Sequence, residues 1–217
     1  RVVQNTVTLT KSVISTAIES GVRTIIYTSS TVVLGRSSDP AILITELNKN
    51  NYPESPYVKG KILSEQYCES LVQKGYDIRR VYPSWVIGSH NAKRTPPHRV
   101  IQNAILKSMP FYFDGGISIA NVHDVAKAHV NAWIKGRPKS QYVLGGVNVT
   151  FLTLFTQLAA INRRSGPKIK IPKWIIYLTA VCLKYLLGKR SPLELNYVSS
   201  IIGKYSWYDS SKAINEL

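Results

Sequence analysis

Acidic residues are scarce in this sequence: 12 Asp and Glu face 28 Lys and Arg, a formal net charge of +16 over 217 residues. Sulfur is scarce too, with two cysteines and one methionine. Cys68 and Cys182 lie far apart without zinc-type spacing, so a cysteine metal site is excluded and buried free thiols in a reducing compartment are expected. His90, His98, His123 and His129 show no paired metal spacing either. No apolar run reaches the roughly 20 residues of a membrane span. The most apolar stretch, Trp174 to Leu187, is interrupted by Thr179 and Lys184. It reads as a helix of a globular lobe, and the basic run before it leaves an interfacial helix open.

Two more absences concern the chain's organisation. It opens on Arg1 rather than methionine, and its single methionine is Met109, so it reads as a piece of a longer protein. It also has no glycine-rich phosphate turn, since neither G-x-G-x-x-G nor G-x-x-G-x-x-G spacing occurs. What is present is ordinary globular composition, 44% hydrophobic and 18% charged, enough for one core or for a domain and a lobe. The basic residues cluster at Lys93-Arg94 with Arg99, at Lys135 to Lys139, from Arg163 to Lys173 and at Lys189-Arg190. Such a surface suits anionic partners and peripheral contact with an anionic membrane. No aromatic–basic pattern of a known nucleic-acid module accompanies it, so no specific nucleic acid is expected and a solvated basic face is the plainer reading.

Chemistry concentrates at Ser55-Pro56-Tyr57-Val58-Lys59-Gly60-Lys61. A tyrosine and a lysine four apart on a helix share a face, and a fixed cation beside a phenol favours its ionised form. Ser55 suits a helix N-cap and Pro56 the first helical position, which places Tyr57 in the first turn. Tyr–Lys pairs at this spacing also occur at Tyr185/Lys189, spanning Gly188, and at Tyr208/Lys212 in the polar tail. Only Tyr57/Lys61 has a capped start and a strand before it, the β-branched run Arg23-Thr24-Ile25-Ile26-Tyr27-Thr28 ending in Ser29-Ser30-Thr31. The run Val2-Val3, Val7, Val13-Ile14, Ala17-Ile18 has helical spacing up to the Gly21 stop.

Ser20-Gly21-Val22-Arg23, Tyr27-Thr28-Ser29-Ser30-Thr31-Val32-Val33-Leu34-Gly35 and Tyr57-Val58-Lys59-Gly60-Lys61 together resemble the extended short-chain dehydrogenase/reductases. Within them the branch most similar is that of the dihydroflavonol reductase-like and hopanoid-associated sugar epimerase-like proteins. The likeness continues through Pro83-Ser84-Trp85-Val86-Ile87-Gly88, Asn121-Val122-His123-Asp124-Val125-Ala126, Tyr142-Val143-Leu144-Gly145-Gly146 and Ser210-Ser211-Lys212-Ala213. It implies an α/β fold: the C-terminal part of a Rossmann-type parallel-sheet domain with a smaller mixed α/β substrate lobe. On that alignment about three strand–helix steps precede Arg1, on the order of 70 to 90 residues. Residues 1–88 would be the later half of the dinucleotide-binding domain. Residues 89–217 would be mainly the substrate lobe, with 117–135 returning to the first.

The resemblance also assigns roles. Tyr57 would be the acid/base, Lys61 its partner and a ribose contact, and Ser30 the hydroxyl facing the substrate oxygen, with Ser29 and Thr31 as alternatives. Pro83, Ser84 and Val86 would line the nicotinamide of NAD or NADP, with Tyr57 and Lys61 also at the cofactor. Residues 36–54 would be a substrate-side loop. The chain departs from the family at Thr6, where an asparagine near the cofactor is usual, at Leu9 in place of a common glycine, at Tyr82 before the proline, and at Ser89 after Gly88. Only Asp124 survives of a paired acidic motif, and it reads as a helix cap before Val125, Ala126, Ala128 and Trp133. Thr150 reads as the cap of the next helix. Implied for the whole protein are a small-molecule substrate, a homodimer, a cytoplasmic location and hydride transfer on a hydroxyl or carbonyl, in reductase or nucleotide-sugar epimerase form. The competing expectation is a cofactor-incompetent remnant of that fold with an interaction role.

Overall fold

The computed structural model describes residues 1–89, 96–107, 109–187 and 199–217. Helix α3 spans Pro96–Leu106, whereas His90, Lys93, Arg94, Thr95 and the Gly188–Lys189–Arg190 segment lie outside the described residues.

The first sheet is parallel, in the order β1 (Thr24–Thr28), β2 (Asp77–Pro83), β6 (Gln141–Leu144). Its register pairs Thr28 with Val81 and Pro83 with Leu144, which brings the C-terminal ends of the three strands to one edge. Strand side chains alternate between faces, and the two faces of this sheet receive different helices. On one face Ile25, Tyr27 and Ile78 pack with Ile14 and Ile18 of α1 (Val2–Glu19) and with Cys68 and Leu71 of α2 (Pro56–Gln73). On the other, Ile26 and Val81 meet Val125, Ala128 and Ala132 of α4 (Val122–Ile134) and Ala213 of the C-terminal helix α7 (Ser211–Glu216). An α/β layer with helices on both sides of a parallel sheet is the Rossmann-type arrangement.

The second sheet is mixed and centres on β5 (Gly116–Asn121). It pairs antiparallel with β7 (Val147–Thr150), and parallel with β3 (Trp85–Ile87) and β9 (Tyr205–Ser206) along different stretches. Its apolar side packs on Ala104 of α3 and on Phe151, Leu154, Phe155 and Leu158 of α5 (Phe151–Ile161). A two-residue ribbon, β4 (Phe111–Tyr112) with β8 (Ile169–Lys170), precedes α6 (Lys173–Leu187). Thus β5 belongs to the second sheet while the helix after it, α4, lies on the first.

Local signals explain most boundaries. Ser55 accepts a hydrogen bond from the Val58 amide and Pro56 opens α2. Thr150 accepts from the Thr153 amide at the start of α5. Gly21, at φ +78°, takes the left-handed conformation that ends α1. Four expectations are corrected. The cap of α4 is Asn121, whose side chain accepts from the His123 amide; Asp124 sits inside the first turn, because the helix begins three residues earlier than its apolar pattern suggests. Cys182 is exposed rather than buried, since it points outward from α6; Cys68 is fully buried, and burial pushes its thiol up to about 12. Val2 and Val13 of α1, and Trp133 of α4, stay exposed although they belong to apolar helical patterns. Tyr208 is buried rather than part of a polar tail, because the segment from Tyr205 to Asp209 is drawn into bridges with residues 37 and 44.

Candidate active site

Ser30, Lys61, Pro83 and Ser84 lie at the C-terminal edge of the parallel sheet, with Tyr57 one turn before Lys61 on α2 and Val86 in β3 of the second sheet. Past β1 the chain continues into Ser29, whose amide donates to the Val81 carbonyl, and then into a short 3-10 turn, Thr31–Val33. The three adjacent hydroxyls have different fates. Ser29 is buried and donates to Glu65 Oε2 at 2.6 Å. Thr31 is buried and donates to the Pro83 carbonyl at 3.4 Å. Ser30 caps the 3-10 turn by accepting from the Val32 amide at 3.4 Å, and among the described residues nothing accepts its own hydroxyl proton. Of the three, Ser30 is the hydroxyl left able to donate outward.

Helix α2 runs beside this segment. Tyr57 is half exposed in the first turn, and Lys61, one turn on, donates from Nζ to the Thr28 carbonyl at 3.3 Å. That bond ties the ammonium to the end of the strand carrying Ser30. Burial lowers the Lys61 ammonium below its ordinary value, with the Glu65 carboxylate opposing the shift. Lys61 Nζ also stands 5.8 Å from the centre of the Tyr27 ring. Tyr27 is itself pushed up to about 12 by burial, so it stays a neutral wall. Close approach of α1 and α2 depends on Gly60: a Cβ there would come within 3.1 Å of the Thr6 Cβ. Thr6 therefore packs against the helix of Tyr57 and Lys61 while Leu9 points to solvent.

Pro83 closes β2 beside Thr31, and the Ser84 amide donates to the Leu144 carbonyl at the end of β6. The Ser84 hydroxyl is buried with no partner among the described residues. An unsatisfied buried hydroxyl costs about 1–3 kcal/mol, a cost that a polar ligand group at this edge would relieve. Val86, in β3, pairs with Ala120 and packs on the core under α4. The residues expected to line a nicotinamide thus follow one another around the strand ends, and the arrangement fits one end of a dinucleotide.

Beneath Lys61 lies a buried polar cluster that sequence reading missed. Glu65 accepts from Ser29, from Tyr82 Oη at 2.7 Å and from Arg80 at 3.1 Å, and Arg80 also pairs with Glu69. Arg80 is 2% exposed and Tyr82 is 1% exposed. Burial and the neighbouring carboxylate push the Tyr82 phenol above its ordinary value. The departure at Tyr82 therefore serves as a donor to Glu65. A signal existed: Tyr57, Lys61, Glu65 and Glu69 recur every four residues and so share one helix face. Glu65, Glu69, Arg80 and Tyr82 border a cavity of about 220 Å³ that also touches Glu46 and Gln141, whereas Tyr57 and Lys61 do not line it. A larger cavity of about 440 Å³ lies between residues 34–54 and the segment of Ser199, Ser200 and Lys204. Neither Ser30 nor Tyr57 lines it, although the chain reaches it directly from the 3-10 turn. Tyr208 supports that turn from the far side, donating to the Gly35 carbonyl at 3.1 Å and the Thr31 carbonyl at 3.4 Å.

The other Tyr–Lys pairs build no comparable arrangement. Lys212 donates to Ser140 while Tyr208 is buried at the 3-10 turn, and Tyr185 is exposed on α6 with Lys189 outside the described residues. His129 serves structure, bridging the Val125 carbonyl and the Thr28 hydroxyl.

A parallel sheet with helices on both faces and a Tyr–Lys helix at its C-terminal edge is a Rossmann-type α/β protein. More narrowly, residues 1–145 match the NAD dependent epimerase/dehydratase family, and the chain belongs to that family. It is 28% identical over 221 aligned residues to a protein of Synechocystis sp. provisionally named dihydroflavonol 4-reductase, covering 96% of this chain and 63% of that one. The chain thus spans under two thirds of that curated relative. Among solved structures it resembles gox2253, with a TM-score of 0.83 and 28% identity over 99% of this chain and 66% of that one. It also resembles PA4631, described as a nucleoside-diphosphate-sugar epimerase of Pseudomonas aeruginosa, with a TM-score of 0.78 and 20% identity over 100% and 67% of the two chains.

Proposed function

We propose that the protein containing this chain is an NAD(P)-dependent oxidoreductase of the extended short-chain dehydrogenase type, acting on a hydroxyl or carbonyl of a small molecule. Family membership supports the reaction class, and the names of relatives span dihydroflavonol reduction and nucleotide-sugar epimerisation. The observation that carries the reading is the anchoring of Lys61 to the Thr28 carbonyl, one helical turn from Tyr57 and at the end of the strand that leads to Ser30. In this reading residues 1–88 form the later half of the dinucleotide-binding domain. Residues 89–217 form mainly the substrate lobe, with 117–135 returning to the first domain. The whole protein is a cytoplasmic homodimer with peripheral membrane contact through its basic surface.

The cofactor, when bound, supplies or accepts the hydride. The chain's own residues handle position and the proton. Tyr57 stands half exposed, as a group exchanging a proton with a substrate oxygen must. Lys61 holds a positive charge near that phenol and reaches the ribose. Ser30 donates its free hydroxyl proton to the substrate oxygen as charge develops there. Pro83, Ser84 and Val86 border the nicotinamide, with the buried Ser84 hydroxyl available to its carboxamide. Ser29 and Thr31 are committed to Glu65 and Pro83 and hold the turn rather than the substrate.

The test is NAD(P)H oxidation by the full-length protein against ketone and nucleotide-sugar substrates, with Ser30→Ala and Ser29→Ala compared at saturating substrate. Ser30→Ala is expected to lower kcat by about a hundredfold, the scale of one oxyanion donor. Equal losses in both variants would refute the assignment of Ser30.

A further inference from the structure

Helix α6 has two apolar faces where a surface helix needs one. Ile176, Ala180 and Leu183 form the inner face, and Ala180 and Ile176 pack on Ile202 and Phe113. On the opposite face Trp174, Leu178, Val181 and Tyr185 recur at intervals of four, three and four, with Ile175, Cys182 and Leu186 beside them. All seven are exposed, Tyr185 at 92% and Leu186 at 79%. Phe111 and Ile169 are exposed on the neighbouring β4–β8 ribbon. An outward apolar stripe of this extent on a charged protein requires a partner.

The charges identify its chemistry. Between Asp124 and Glu194 the sequence holds no acidic residue and 12 lysines and arginines. Lys173 and Lys184 border the apolar stripe on one side, as lysines do when their stems lie along an apolar surface and their ammonium groups reach phosphates. Lys168 and Lys170 lie just before α6, and of these four lysines Lys170 is the one paired with a described carboxylate, Asp114 at 2.8 Å. Two copies of this face would bring like charges together. An anionic lipid surface satisfies both the apolar stripe and its cationic border. At 15 residues α6 is about 22 Å long, short of the ~30 Å hydrocarbon core, and no described helix is long and apolar enough to cross a membrane.

We propose that the outer face of α6, with its flanking lysines, is an interfacial anchor that lies on an anionic bilayer, Trp174, Leu178 and Val181 entering the acyl boundary. The inference rests on the peripheral-membrane contact proposed for the basic surface and assigns that contact to one helix. It orients the lobe carrying α6 toward the lipid.

The test is co-sedimentation of the full-length protein with phosphatidylcholine vesicles containing or lacking phosphatidylserine. Wild type is expected to bind the phosphatidylserine vesicles, and the double variant Leu178→Glu/Val181→Glu to bind them at least about tenfold more weakly, with unchanged circular dichroism because both positions are exposed. Quenching of tryptophan emission by brominated lipid is expected to fall in Trp174→Phe, a variant that keeps an apolar ring. Binding that is unchanged in the double variant and in Trp174→Phe quenching, yet removed by salt, would overturn the assignment to α6 while leaving membrane contact by the basic surface standing. Absence of binding to either vesicle would overturn both. A wild-type oligomer dispersed by the double variant, with no vesicle binding, would mean that a second copy covers the face.

Discussion

Replacing Glu65 with alanine should unfold the protein more readily than any other single change at the sheet edge. The Glu65 carboxylate accepts from Ser29 at 2.6 Å, Tyr82 at 2.7 Å and Arg80 at 3.1 Å. Without it, the Ser29 and Tyr82 hydroxyls, at 4% and 1% exposure, lose their acceptor. A buried unsatisfied polar group costs about 1–3 kcal/mol. Arg80 keeps Glu69, so its charge is not stranded, which moderates the loss. The sum is about 3–5 kcal/mol, the range for breaking a buried charged pair, and at this chain length corresponds to a fall in Tm of roughly 10 °C. Urea denaturation followed by tryptophan fluorescence, with the slope checked for constancy, measures it. Glu65→Gln keeps an acceptor and should cost less than half as much. In a double-mutant cycle, Tyr82→Phe should cost much less in the Glu65→Ala background than in wild type. A loss below about 1 kcal/mol for Glu65→Ala, or strict additivity with Tyr82→Phe, would refute the reasoning.

Arg79→Ala should cost about 2–3 kcal/mol in the same assay, because the guanidinium donates to the Ala132 and Trp133 carbonyls, each at 2.8 Å, at the end of α4. Arg79→Lys should recover part of this, since an ammonium cannot reproduce the fork. Burial alone would raise the Asp77 carboxyl, but hydrogen bonds from Arg79, the Lys139 amide and Thr24 outweigh it and hold the group below its ordinary value. Its stabilisation is therefore present above the unfolded value of 3.8 and lost as pH falls through the lower folded one; the urea midpoint of Asp77→Asn should drop less on acidification than that of wild type. Asn121→Ala should cost about 1 kcal/mol and Asp124→Ala less, reversing the order expected if Asp124 were the cap of α4.

Features governed by local chemistry were legible in the sequence. Ser55 and Pro56 announce α2, Thr150 announces α5, and the β-branched run before Ser29 announces β1, because caps, proline and branching act within a few residues. The Tyr57/Lys61 pair was legible for the same reason, its geometry being set by one helix. The partnership of Glu65 with Arg80, Tyr82 and Ser29 was not, since it joins α2, β2 and the end of β1 across the tertiary fold. Tyr208 was hidden likewise: its position under the 3-10 turn depends on contacts 173 and 177 residues away along the chain. That Ser29 donates to Glu65 and Thr31 to the Pro83 carbonyl was not legible either, since those acceptors come from α2 and β2.

Single-turnover hydride transfer in the Tyr57→Phe variant of the full-length protein, with cofactor and a turned-over substrate both bound, tests the central claim most directly. The account predicts that cofactor and substrate still bind while the transfer rate falls by about 10²–10⁴-fold, the contribution of a positioned acid/base. A Tyr57→Phe variant that transfers hydride at the wild-type rate would contradict it.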